Sequence, residues 1–87
     1  MLSRQVIISA HNGVHARPVA ELVRLAQAHD RPVTLRTATG AVVDLSSVLA
    51  MMDLALAPGD VVTLETAEST GAATVLDTLA AVLDPRK

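Results

Sequence analysis

The chain lacks several residue types that build common functional sites. Its 87 residues contain no cysteine, tryptophan, tyrosine or phenylalanine. Without cysteine there are no disulfides and no thiolate metal sites, and without aromatic side chains there is no platform for stacking single-stranded bases. Because seven basic residues face nine acidic ones, the chain also lacks a basic excess, and we predict no nucleic-acid partner.

Long apolar runs are also absent. The longest apolar region, residues 42–56, is interrupted by Asp44, Ser46, Ser47 and Asp53, and a membrane-spanning helix needs about 20 apolar residues. The first residues contain no signal-peptide core. We therefore expect a cytoplasmic protein without membrane insertion, and the length predicts a single domain over residues 1–87.

Short β-branched runs alternate with helical patterns along the chain. Strands are predicted at 5–9, 33–37, 41–45 and 61–66, separated in part by the turn residues at 39–40 and 58–60. A first helix is predicted to begin beside His15, because Pro18 fits only a first helical turn, and to end before Pro32. A short helix at 48–54 and a last helix with an apolar stripe from Ala72 to Leu83 follow. The order β-α-β-β-α-β-α predicts an α+β fold, in which three helices pack on one face of a four-stranded antiparallel sheet.

The start of the first helix combines several residues suited to phosphoryl chemistry. Pro18 places His15 at or beside the N-cap, where the helix dipole disfavours a protonated imidazole and leaves a neutral, nucleophilic ring. The backbone N–H groups of Ala16 and Arg17 have no acceptor within the helix and are predicted to bind an anion. A cation in the first turn opposes the dipole by up to about 1 kcal/mol, so Arg17 suggests an anionic ligand nearby. Taken singly, the histidine could be an ordinary cap and the arginine a solvated side chain; the combination favours a phosphate site.

The other histidines suggest less. His11 and His15 have a spacing that binds metals on a continuous helix, but Asn12-Gly13 breaks the helix and no third ligand is evident. We therefore predict no metal and no cofactor. His29, next to Asp30 near the helix end, is predicted to interact favourably with the helix dipole and to do no more.

The octet from Asn12 to Val19 (NGVHARPV) resembles the active-site motif of the HPr phosphocarrier family of the bacterial phosphoenolpyruvate-dependent sugar phosphotransferase system. The element order, the length and the segment 45–54 resemble that family as well. The resemblance implies an open-faced sandwich that acts as a stoichiometric carrier rather than an enzyme. It implies that phosphorylated Enzyme I phosphorylates His15 on Nδ1 (the pros nitrogen), that Arg17 stabilises the phosphoryl group, and that a IIA protein or domain receives it. Val14, Val19 and Ala55 differ from the commoner family residues.

The resemblance also implies a regulatory serine. Ser47 matches the position that a serine kinase phosphorylates, and a phosphorylase restores, in some members of the family. The alternative is structural, because either Ser46 or Ser47 can cap the short helix that follows.

A docking surface for partner proteins is implied on the same short helix. Val48, Leu49 and Met52 match the family's partner surface, and methionine suits a surface that accepts several partners. The alternative is that these residues belong to the core. Arg24 is predicted to steer acidic partners, or else to be a solvated residue of the first helix.

Two other functions remain open for this sequence. The chain could be an HPr-like carrier in a regulatory phosphorelay. It could also be a non-catalytic effector-binding module, which would not need His15 and Arg17 together at a helix start. We expect a monomer in either of the carrier roles.

Overall fold

The computed structural model describes residues 1–9, 16–54 and 56–84, and the side chains of residues 16–18 lie outside this description. The elements are β1 (Leu2–Ile7), α1 (Ala16–Ala28), β2 (Val33–Thr37), β3 (Val42–Asp44), α2 (Val48–Asp53), β4 (Val61–Thr66) and α3 (Ala72–Leu83). Their order confirms the predicted β-α-β-β-α-β-α arrangement.

The four strands form one antiparallel sheet in the order β1-β4-β2-β3. Alternate side chains of β4 are buried, namely Val62, Leu64 and Thr66, as expected for a sheet with one covered face. The exposed residues of β1, such as Ser3 and Gln5, alternate with those facing the core. The helices therefore cover one side of the sheet and the other side is open, as predicted.

The ends of two strands differ from the prediction. β1 begins at Leu2 and ends at Ile7 rather than covering 5–9, because Leu2 pairs with Thr66 and Ile7 with Val61 along the whole of β4. β3 covers only Val42–Asp44. The polar start of β1 has little strand propensity of its own, so this extension depends on its partner strand.

The core consists of aliphatic side chains from every layer. Leu22 of α1, Met51 of α2, Leu64 of β4 and Leu79 of α3 are each at most 2% exposed. Burying a side chain of this size contributes about 1.5–3 kcal/mol relative to leaving it exposed. These contacts hold α1 and α3 side by side over the sheet.

His29 has a different environment from the one predicted. Its side chain is 7% exposed, and a Cβ added to Gly71 at the start of α3 would lie 3.6 Å from its Cε1 atom. Its Nδ1 lies 3.6 Å from Oδ1 of Asp30. His29 therefore packs between α1 and α3, and the prediction that it interacts with the helix dipole and does no more is wrong.

Candidate functional site

The first helix begins at the residue that the proline predicts. α1 starts at Ala16, directly after His15 in the sequence. His15 itself and His11 lie outside the described residues, as does the side chain of Arg17, so their roles stay predictions. The first four N–H positions of any α-helix have no acceptor within the helix, so the start at Ala16 is consistent with an anion site formed by the Ala16 and Arg17 backbone.

The start of α1 is held firmly on the core. Val19, three residues after the helix begins, is fully buried, and Leu22 and Val23 follow on the same face. Residues at this spacing lie on one side of an α-helix. The first turn of α1 is therefore fixed relative to the sheet.

The chain is also held where it leaves β1. The backbone N–H of Ile8 donates to the carbonyl of Asp60 (2.8 Å), and the N–H of Gly59 donates to the carbonyl of Ile8 (2.7 Å). Gly59 has φ 93°, a left-handed conformation that glycine adopts without steric cost. This turn before β4 therefore holds Ile8 in place, two residues ahead of segment 10–15. The turn residues alone did not predict this role.

The two serines before α2 have different roles. Ser47 is the N-cap, and its hydroxyl oxygen accepts a hydrogen bond from the Ala50 N–H at 3.2 Å. The Ser46 hydroxyl donates to Oδ1 of Asp44 at 2.7 Å instead. The backbone N–H and then the hydroxyl of Ser46 lower the pKa of Asp44 below its ordinary value. Of the two capping alternatives, the structure therefore selects Ser47.

Three apolar side chains of α2 face solvent. Val48 is 48% exposed, Leu49 83% and Met52 46%, whereas Met51 on the same helix is 2% exposed. We call Val48, Leu49 and Met52 the α2 patch. The alternative that these three residues belong to the core is therefore wrong. A docking surface has to be accessible to a partner, and these side chains are. Docking itself stays a prediction.

Arg24 lies on the exposed face of α1 and is paired with an acidic residue. Its guanidinium donates to both carboxylate oxygens of Glu21, at 2.7 and 3.2 Å. This hydrogen bonding lowers the pKa of Glu21 and raises that of Arg24. Because Glu21 neutralises part of the charge, any steering by Arg24 is weaker than an unpaired arginine would give.

One hydrogen bond connects α1 with the beginning of α2. The Gln27 amide donates to the backbone carbonyl of Ser46 at 3.2 Å. This bond holds α1, which carries Arg24, against the residue that precedes the N-cap of α2.

Two features are absent from the described part of the chain, a metal-binding cluster and a membrane-spanning helix. Residues 1–9, 16–54 and 56–84 contain no group of three histidine or acidic side chains arranged to hold a metal ion. None of the helices in these same ranges has the length and hydropathy needed to cross a bilayer.

Several of the proteins that this chain resembles are phosphocarriers. It is 37% identical over 84 residues to the phosphocarrier protein HPr of Vibrio cholerae, covering 97% of this chain and 96% of that one. It is 36% identical over 80 residues to HPr of Streptomyces coelicolor, covering 92% and 85% of the two chains. The crystal structure of HPr from Bacillus anthracis matches the fold with a TM-score of 0.85 and 30% identity, covering 95% of this chain and 96% of that chain.

These similarities define a phosphocarrier class with an open-faced α+β fold. The family model described as "PTS HPr component phosphorylation site" matches residues 2–84. The chain belongs to this HPr family, and its function is that of a phosphocarrier of the phosphotransferase system. The sequence-based prediction of fold and function is therefore confirmed, in preference to an effector-binding module.

Proposed function

We propose that this carrier accepts a phosphoryl group on His15 from phosphorylated Enzyme I and passes it to a IIA protein or domain. The observation that supports this assignment is the start of α1 at Ala16 in a chain of the HPr family. A helix N-terminus stabilises negative charge through its dipole and its unpaired N–H groups. The residue immediately before it is therefore well placed to carry a phosphoryl group.

The transfer exchanges one phosphorus–nitrogen bond for another. The Nδ1 lone pair of neutral His15 bonds to phosphorus while the bond from phosphorus to the donor's histidine nitrogen breaks, and that nitrogen keeps the electron pair. Transfer to the acceptor repeats the step with His15 as the leaving group. Each molecule thus holds one phosphoryl group between the donor and the acceptor protein, as a stoichiometric carrier rather than an enzyme.

Charge neutralisation is the main requirement of this chemistry. A phosphoryl group carries roughly two negative charges near neutral pH. Arg17 in the first turn of α1 supplies a guanidinium that pairs well with phosphate oxygens, and the backbone N–H groups of Ala16 and Arg17 add donors. Positioning and electrostatic stabilisation account for most of the catalysis in phosphoryl transfer.

The α2 patch is the surface on which we place partner docking. A carrier has to bind a donor and an acceptor in turn, and exposed methionine adapts to different partners. Apolar side chains that stay exposed in the free protein gain free energy when a partner covers them. Arg24 on α1, despite its pairing with Glu21, adds positive charge that can steer acidic partners.

Ser47 is the position at which regulation by a serine kinase or phosphorylase would act. Its hydroxyl caps α2 directly before Val48 and Leu49. A phosphate there would add roughly two negative charges beside the α2 patch, which would weaken docking of an acidic partner. We place this carrier in the cytoplasm as a monomer, where it can meet Enzyme I, the IIA proteins and such a kinase in turn.

The assignment of His15 is tested by phosphorylation with phosphoenolpyruvate and Enzyme I. Mass spectrometry and phosphorus NMR should show one phosphoryl group that is labile in acid and stable in base. His15→Ala should take up none, whereas His11→Ala, a histidine from the same segment, should still be phosphorylated. Uptake by His15→Ala equal to that of the wild type would overturn the proposal.

The acceptor is tested with the phosphorylated protein. Mixing it with purified IIA proteins of sugar permeases should move the phosphoryl group to a IIA histidine. Rapid loading by Enzyme I without transfer to any sugar-specific IIA protein would favour the regulatory phosphorelay instead.

A further inference from the structure

Two residues outside the predicted site connect the end of β1 to the end of α3. The Ser9 hydroxyl donates a hydrogen bond to Oδ1 of Asp84, and the Ser9 backbone N–H donates to the carbonyl of Leu83 at 3.0 Å. Asp84 is 5% exposed and is the C-cap of α3, with its N–H bonded to the Ala80 carbonyl at 2.8 Å. Ser9 is the last described residue before segment 10–15, which leads to His15.

The position of Asp84 is unfavourable for an acidic residue in two respects. Removing a carboxylate from water is costly unless partner groups compensate for the lost hydration. In addition, the C-terminal end of α3 carries the negative end of the helix dipole, which disfavours an acid. Partner groups therefore have to compensate for the charge at this position, and the hydroxyl of Ser9 is one of them.

The other contacts around Ser9 show which part of the chain this bond restrains. Ile8 is held by its backbone bonds to Asp60 and Gly59, and α1 is anchored by the fully buried Val19. Both ends of the segment that contains His15 are therefore attached to the core. The bond from Ser9 to Asp84 adds a side-chain restraint at the last described position before that segment.

We propose that Asp84 is a positioning residue for phosphoryl transfer, acting through its hydrogen bond with Ser9. The bond fixes Ser9 against the end of α3, and with it the point from which the chain continues to His15. The inference rests on the proposed function of His15. A misplacement of about 1 Å can lower a rate by about 10²-fold, so a restraint at this point has a measurable effect.

The proposal is tested with Asp84→Ala, Asp84→Asn and Ser9→Ala, using the carrier as the varied substrate of Enzyme I. Asp84→Ala and Ser9→Ala should lower kcat by about tenfold or more. KM should be unchanged, because the α2 patch is intact. Asp84→Asn keeps an oxygen that accepts the Ser9 hydroxyl bond and should restore kcat to within about threefold of the wild type.

Asp77→Asn is the matched control for loss of a carboxylate from α3. Asp77 is exposed and forms its ion pair at 3.1 Å with Arg4 rather than with Ser9, so this variant should behave as the wild type does. A purely structural role for Asp84 would lower the free energy of unfolding and leave the kcat of the folded protein unchanged. Wild-type kcat in folded Ser9→Ala and Asp84→Ala would overturn the proposal.

Amide hydrogen exchange of the unphosphorylated protein gives a second, independent test. Ser9→Ala should speed exchange at residues 10–15 relative to the wild type and Asp77→Asn, while Asp84→Asn should not. Because Asp84→Ala removes a buried group and can unfold the chain, Ser9→Ala carries this measurement. If the wild type takes up no phosphate, the proposed function fails, whereas unchanged exchange in folded Ser9→Ala overturns the positioning role by itself.

Discussion

Truncating Leu49 to alanine should weaken docking of Enzyme I and leave the stability of the fold almost unchanged. Leu49 is 83% exposed, so it contributes little to folding. The substitution removes three carbon atoms, each worth about 0.8 kcal/mol when fully buried by a partner. For partial burial in the complex we expect a loss of about 1–2 kcal/mol, which corresponds to about a 5- to 30-fold higher Kd.

Two measurements on the same preparations test this prediction. Titration calorimetry with Enzyme I gives Kd, and urea unfolding gives the stability. Val42→Ala is the matched control, because Val42 is 57% exposed but lies on β3 outside the α2 patch, and its Kd should equal that of the wild type. Met51→Ala, which removes a buried side chain of α2, should instead cost about 2–5 kcal/mol of stability.

Either measurement can refute the reasoning. If Leu49→Ala bound Enzyme I as tightly as the wild type, the α2 patch would not be the docking surface. If it lowered the free energy of unfolding by more than about 0.5 kcal/mol, it would not behave as an exposed residue.

Two further predictions concern the residues before α2. Ser47→Ala should lower the free energy of unfolding by about 1 kcal/mol, because the Ala50 N–H loses its acceptor. Ser46→Ala, the control, should lower it less. Equal losses for the two variants in urea unfolding would contradict the assignment of Ser47 as the cap. Folding lowers the pKa of Asp44 from its ordinary value of 3.8, so its ionised form stabilises the fold above that pH, and the stabilisation is lost as the pH falls through the folded pKa. The difference in unfolding free energy between the wild type and Asp44→Asn should therefore be constant near neutral pH and shrink in acid, and a difference that persisted in acid would contradict this reasoning.

Local sequence chemistry determined most of the element positions. β2 and β4 begin and end at the predicted residues. Turn residues mark two of these boundaries, because Gly40 follows the end of β2 and Pro58 and Gly59 precede the start of β4. The start of α1 follows from Pro18, whose ring is excluded from later helical turns. The same local sequence carries the motif around His15 and Arg17, which indicates the family. The family model, which matches residues 2–84, supports that resemblance.

Tertiary structure decided the features that depend on distant residues. The polar start of β1 becomes a strand only because β4 pairs with it, and His29 is buried only because α3 packs beside it at Gly71. Ser9 and Asp84 are 75 residues apart in the chain and meet where two elements end together. Local propensities describe how a segment folds against its neighbours in sequence, whereas these contacts arise from how the helices and strands pack in space.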